Sequence, residues 1–283
     1  PISSEALADY QLALTAAQRE LDIRSPEKIV THLGRAYSTL QGQAQMIRSE
    51  AARLLIEAKL KQLAEAIVLA SGVQIDALAD RETVVPGESV LVGAKAYSPH
   101  PESAKVKSLV ITAPPRWTLE NLDAPKTQSP AFIAREVGAA SSVFRVTVPA
   151  DWHPTQPYWL TEERQGDMFA WTREPVAHTL PIQPAEMRLS VTMDVLGTEI
   201  IVERPVEFRF ADDIRGEIRR SVDVVPDISI SLEKDLLIAP RGSATVEKNL
   251  AVRVTNNTSR EADVVLQPVK PGVGTVSAEF AQT

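Results

Sequence analysis

The chain has 283 residues, 20 prolines and no cysteine, and carries a formal net charge of -7. That length predicts two or three domains with real cores, while no apolar run reaches the ~18–20 residues of a membrane-spanning helix. Absent cysteine excludes disulfides, thiolate metal sites, iron–sulfur clusters and cysteine nucleophiles, and the negative charge argues against sequence-independent nucleic-acid binding.

In chain order, the first part reads as helical. Eighteen of the 20 prolines lie at or beyond Pro86, and proline breaks helix interiors. Leu7, Tyr10, Leu14, Ala17 and Leu21 form one apolar stripe of a first helix. Ser25-Pro26-Glu27 offers a cap, a proline for the first turn and an acid at the positive helix end, before the stripe Ile29, Leu33, Ala36, Leu40. A third helix, predicted over 44–71 and stopped by Gly72, is apolar on two sides: Ile47, Ala51, Leu54, Leu55, Ala58 on one, Ala52, Ile56, Leu60, Leu63, Ile67 on the other. Two apolar sides predict packing on both, against the other two helices. No repeat near 34 residues supports tetratricopeptide-like pairs, so a three-helix bundle is expected.

Beyond residue 80 the period becomes two. Met187, Leu189, Val191, Met193 and Val195 alternate with polar residues, and Leu196-Gly197-Thr198 turns the chain into a returning strand whose Pro205 marks an edge or a bulge. Further strands are expected at Ser89–Tyr97, Val106–Thr112, Ser142–Val148, Asp227–Leu232, Thr245–Thr255 and Ala262–Gln267. Val84-Val85-Pro86-Gly87-Glu88-Ser89 and Leu237-Ile238-Ala239-Pro240-Arg241-Gly242-Ser243 open similar strand–turn–strand segments. The fold class expected is multidomain, α plus all-β. A helical bundle at 1–78 precedes an immunoglobulin-like β-sandwich at 79–225, completed by residues 185–225, and the start of a second such domain at 226–283. The beginning at Pro1 and the strand-like end at Thr283 read as a piece of something longer.

Chemistry is sparse. There are four histidines, His32, His100, His153 and His178. His32 reads as structural, and His100-Pro101-Glu102 sits in a polar turn with no second histidine nearby. Asp151-Trp152-His153 makes no constellation, and Asp212-Asp213 lacks calcium-loop spacing, so a solvated turn or a bridge to Arg215 is expected there. No nucleophile elbow or phosphate-binding glycine loop is present. Asn256-Asn257-Thr258-Ser259 holds two overlapping glycosylation triplets that double as turn formers. The one unusual concentration is aromatic: Trp152, Tyr158, Trp159, Phe169 and Trp171. Trp152, Tyr158, Trp159 and Trp171 are candidates for stacking on sugar rings. The alternative, which we favour, is that Pro154-Thr155-Gln156-Pro157 is a stiff crossover whose aromatics fill a seam. No catalytic or metal-ligating residue is identified.

Val148-Pro149-Ala150-Asp151, Pro154 through Leu160 and Gly166-Asp167-Met168-Phe169 resemble a stretch of bacterial proteins of the LmbE/PIG-L deacetylase family. So do Phe208-Arg209-Phe210-Ala211-Asp212, Arg215-Gly216-Glu217, Arg219-Arg220 and Val224-Val225-Pro226, with Val85 to Ser89 and Val254 to Asn257 in the same order. The resemblance implies a preceding Rossmann-like domain that uses zinc-activated water to remove acetyl from N-acetylglucosamine-type sugars. That domain's Ala-His-Pro-Asp-Asp signature does not occur in this chain. By resemblance, then, the chain is an accessory, non-catalytic region of a secreted or periplasmic hydrolase, partnered by its own upstream catalytic domain, with zinc expected only there. The other reading is a carbohydrate-binding or cell-envelope adhesion module with no linked enzyme, whose partner is a glycan or polysaccharide.

Overall fold

The computed structural model describes residues 4–44, 46–122, 139–169, 183–234, 236 and 250–266. Contacts divide the chain into two units, Pro1–Val225 and Pro226–Thr283.

The first unit opens with α1 (Ser4–Glu20), a single 3-10 turn at Pro26–Ile29, α2 (Val30–Ala44) and α3 (Glu50–Ser71). Pro26 sits in the first turn as expected, but Ser25 makes no side-chain cap. The third helix starts later than residue 44 because Ser49 caps it, its Oγ accepting from the Ala52 N–H at 3.5 Å. Its end is at Gly72, whose φ of 69° is left-handed and favours glycine. There the N–H of Val73 reaches back to the Val68 carbonyl at 3.2 Å, and an added Cβ would lie 3.2 Å from Pro99 Cγ.

Only one of the two stripes of α3 is covered. Ile56, Leu63 and Ile67 are buried with Ala64 and Val68. Ile47 is half-buried, while Ala51, Leu54, Leu55 and Ala58 are exposed and do not join the core, so the expected packing on both sides is not observed. On α1 the stripe is used in its middle: Ala17 is buried and Tyr10 and Leu14 pack on the core, while Leu7 and Leu21, the latter just past the helix end, face outward.

The strands of this unit are β1 (Gln74–Ala79), β2 (Thr83–Val84), β3 (Ser89–Tyr97), β4 (Lys105–Thr112), β5 (Thr118–Asn121), β6 (Ala139–Thr147), β7 (Arg188–Val195), β8 (Thr198–Pro205), β9 (Glu207–Asp212), β10 (Gly216–Ser221) and β11 (Asp223–Val224). They build a six-stranded sheet in the order β10-β9-β1-β3-β6-β5, a three-stranded sheet β4-β7-β8 and a short pair β11-β2. In the larger sheet β1 runs parallel to β9 and antiparallel to β3. The alternation in β7 is realised in full, its odd positions from Leu189 to Val195 being buried. Leu196 and Gly197, at φ 51° and 86°, make the tight turn into β8, braced by the Gly197 N–H donating to Asp194 Oδ1 at 2.9 Å. Pro205 ends β8, an edge strand, where a missing N–H costs no ladder bond.

Helices and sheets share one core. Leu33, Tyr37 and Leu40 of α2 and Ile67 of α3 belong to the same cluster as Val90 and Val92 of β3, Phe144 and Val146 of β6, and Leu189, Val191 and Met193 of β7. At about 1.5–3 kcal/mol for each large side chain fully buried, this common cluster is the main stabilising term. The helical part expected to end at residue 78 therefore has no core of its own, and β1, missed in the sequence, takes residues 74–79 into the middle of the larger sheet. Two contacts tie helix to strand. Arg204 of β8 donates both terminal nitrogens to Glu65 of α3 at 2.6 and 2.7 Å. Tyr37 hydrogen-bonds the backbone of Ile201 in β8; burial pushes its phenol up, and that bond pulls the other way.

The second unit contains β12 (Ile228–Leu232) paired antiparallel with β13 (Val252–Asn256). Residues 261–266 are not in a strand, contrary to the expectation for 262–267. The segment 237–243, read as an echo of 84–89, lies outside the described residues.

Candidate functional site

The sequence candidates divide three ways. Trp152 is half-buried and packs on the core. Its ring meets the buried Trp117 edge-to-face, centroids 5.7 Å apart at 85°. Trp159 is half-buried within the 3-10 turn Tyr158–Leu160. Tyr158 is placed by that turn alone, and Trp171 lies outside the described residues. Phe169 is exposed, with the Arg164 guanidinium 5.9 Å from its ring centre. Trp152 thus fills a seam. The indole N–H of Trp117 is buried beside it with no acceptor among the described residues.

The seam is closed by hydrogen bonds around residues 148–155. Val148 exchanges backbone bonds with the turn at 87–88, the Gly87 N–H donating to its carbonyl and its own N–H donating to Glu88, each at 3.0 Å. Gly87 has φ 85°, which favours glycine at that turn. Asp151 receives Arg116 on both oxygens at 2.5 and 2.6 Å, and this bond holds its carboxyl below the usual range. Thr155 donates its N–H to the Val224 carbonyl at 2.7 Å, and the Val224 N–H donates to Thr155 Oγ1 at 2.9 Å.

His32 and His100 make separate contacts. His32 Nε2 lies 2.9 Å from Glu20 Oε2, joining α2 to the end of α1, and His100 Nδ1 lies 3.3 Å from Glu102 in an exposed turn. His178 lies outside the described residues. Among the described residues no three acidic or histidine side chains gather as a metal-ligating group. Asp212 uses Oδ1 to accept from the N–H groups of Ile214 and Arg215, at 2.9 and 2.7 Å, which makes it a turn residue. Asn256 does the same for Thr258 at 3.0 Å.

A denser polar cluster, not foreseen in the sequence, occupies the outer face of β1, β9 and β10. Arg219 donates Nε to Glu217 and Nη1 to Asp76, both at 2.7 Å, and lies 3.6 Å from Glu207. Arg209 lies 3.6 Å from Asp76 and 3.8 Å from Glu217. Beside them Gln74, Ile75, Asp76, Lys95, Tyr97 and Arg219 line a shallow concavity of about 340 Å³. The bonds to Glu217 and Asp76 raise the Arg219 guanidinium above its ordinary value, and the same contact lowers Glu217. Both groups are driven further into their charged forms. Proton transfer at neutral pH needs the reverse, a group whose two forms are balanced. The cluster works as a side-chain clasp across three strands.

No family model matches the chain, and no curated protein matches it. Among solved structures it is similar to Pseudomonas fluorescens alkylpurine DNA glycosylase AlkC bound to DNA containing an abasic site analog, at 11% identity. The match covers 65% of this chain and 47% of that one, with a TM-score of 0.18, a likeness that carries no argument.

Proposed function

We propose that this chain is a non-catalytic accessory region that braces or positions a catalytic domain, in a LmbE/PIG-L-like zinc-dependent sugar N-deacetylase. The observation that carries the reading is the pair of hydrogen bonds between Thr155 and Val224, which joins the two stretches bearing the resemblance. Their other distinctive residues are also spent on framework. Val148 and Val224 are buried. Phe208 and Phe210 stack with centroids 6.0 Å apart, and Arg220 lies over Phe210 at 5.3 Å while donating to Glu82 at 2.6 Å. Gly166 and Asp167 form the tight turn between Gln165 and Met168, which exchange backbone bonds at 3.0 and 3.1 Å.

In this reading the sheets of 79–225 are an immunoglobulin-like sandwich, residues 226–283 begin a second one, and the parent protein works outside the cytoplasm. The frame upstream of Pro1 is then expected to encode Ala-His-Pro-Asp-Asp and a further histidine. A frame that starts within a few residues of Pro1 overturns the family assignment. Separately, the purified chain with zinc and N-acetylglucosamine-type substrates is expected to release no acetate. Release above a protein-free blank overturns the non-catalytic assignment.

A further inference from the structure

The uncovered side of α3 has an internal symmetry. Leu55 and Leu69 are 69% and 77% exposed, and between them lie Ala58 and Gln62, both exposed, and half-buried Ala66. The stripe reads Leu, Ala, Gln, Ala, Leu in either direction, at positions 55, 58, 62, 66 and 69. At 3.6 residues per turn all five point within about 40° of Gln62, and the stripe is roughly 21 Å long. Ala58, Gln62, Ala66 and Leu69, with Lys61 and Glu65, line an open groove of about 520 Å³. A surface that reads the same both ways is complementary to itself across a two-fold axis.

We propose that α3 packs antiparallel against α3 of a second copy of this chain, with the two-fold axis at Gln62. Leu55 of each copy then meets Leu69 of the other, Ala58 meets Ala66, and the Gln62 amides face one another, each Oε1 accepting from Lys59 Nζ of its own chain at 3.0 Å and keeping its second lone pair for the partner's amide N–H. The alanines allow the axes to approach at the short end of the ~8–10 Å range for packed helices.

Charge selects this arrangement over its competitors. Lys61 and Glu65 lie on the same flank of the stripe, so antiparallel pairing sets Lys61 of each copy beside Glu65 of the other. A parallel pair would put Lys61 beside Lys59. A slip of two residues in the centre would oppose Ala58 to Gln62 and lose both ion pairs. Arg204 already fixes the Glu65 carboxylate through its bidentate contact, leaving it oriented before association. One helix pair falls below the ~1,200 Å² of a standard specific interface, so the dimer is reversible and concentration-dependent. The proposal is independent of the accessory-region reading.

The test is sedimentation velocity on the whole chain over a concentration series reaching the millimolar range. The wild type is expected to shift from monomer to dimer. Leu55→Lys with Leu69→Lys is expected to remain monomeric with an unchanged thermal melt, since both side chains are exposed. Lys61→Glu, which sets like charges together twice, is expected to weaken association about tenfold or more. Because the chain has no cysteine, Gln62→Cys gives a second readout. It is expected to form a disulfide-linked dimer under mild oxidation far faster than Glu102→Cys in its exposed turn. A wild type monomeric throughout, a dimer that survives Leu55→Lys with Leu69→Lys, or equal cross-linking at positions 62 and 102 overturns the proposal.

Discussion

Replacing Trp152 with alanine distinguishes a seam residue from a sugar-stacking one. A fully buried aromatic truncated to alanine costs about 3–5 kcal/mol. Trp152 is half-buried, which scales that to about 2 kcal/mol, and losing the edge-to-face contact with Trp117 adds about 0.5–1.5 kcal/mol. The sum, about 2.5–3.5 kcal/mol, corresponds to a fall in Tm of roughly 5–14 °C for a unit of this size. Unfolding should be followed by far-ultraviolet circular dichroism, because the substitution removes a fluorophore. Retention on an insoluble N-acetylglucosamine polymer should be measured in parallel on the folded variant. The expected outcome is a destabilised protein whose retention matches that of the wild type. A variant within about 0.5 kcal/mol of the wild type that has lost retention on the polymer would refute the seam assignment.

Other outcomes rest on individual contacts. Trp117→Phe removes a buried N–H that has no acceptor among the described residues, so it is expected to cost less than about 1 kcal/mol in urea unfolding, well under the cost of Trp117→Ala. Gly72→Ala forces a side chain into a left-handed backbone against Pro99 and is expected to cost about 1–2 kcal/mol in the same assay, whereas Gly42→Ala, with open space around it, should stabilise α2. Arg204→Lys loses the two-pronged contact to Glu65, whose side chain is 39% exposed, and is expected to cost about 0.5–1 kcal/mol after allowance for solvent screening. Asp151, Asp194 and Glu217 are all lowered by hydrogen bonds, from Arg116, Lys107 and Arg219 respectively. Their contribution is therefore present above the ordinary values of 3.8 and 4.5 and is lost as pH falls through the lower folded values. Tm should fall below about pH 4, less steeply once the three are replaced by their amides, while Asp223, raised by burial, works in the opposite direction above its ordinary value.

Much of this fold is written locally. Proline placement marks where helices give way to strands, and the strict alternation from Met187 to Val195 specifies β7 without reference to any partner. By contrast, Gln74-Ile75-Asp76-Ala77-Leu78-Ala79 follows a long helix and carries no strong β-branched pattern, so nothing local distinguishes a strand from a frayed helical tail. Its identity is imposed by β3 on one side and by Glu207 on the other. The charged clasp was illegible for the same reason. Asp76, Arg209 and Arg219 become neighbours only when β1 and β9 align. On α3 both apolar stripes were legible, but hydrophobicity alone does not say whether a face is covered by the rest of its own chain. The aromatic run was equally ambiguous, since burial of Trp152 depends on Trp117, which is supplied from a separate part of the sequence.

The place of β1 in the larger sheet also sets an order on events during synthesis. Its antiparallel partner β3 follows almost at once, but its parallel neighbour, reached through the bridge between Leu78 and Glu207, does not exist until most of the first unit has been translated. The pairing of Thr83 with Asp223 waits longer still. At about 5–20 residues per second, the emerging chain spends on the order of ten seconds with one edge of β1 bare. The backbone groups along that edge can pair with any passing strand, including the same segment on a neighbouring nascent chain. Aspartate at position 76, which later clasps Arg219, meanwhile keeps a charge on that edge and works against such pairing before its own partners arrive.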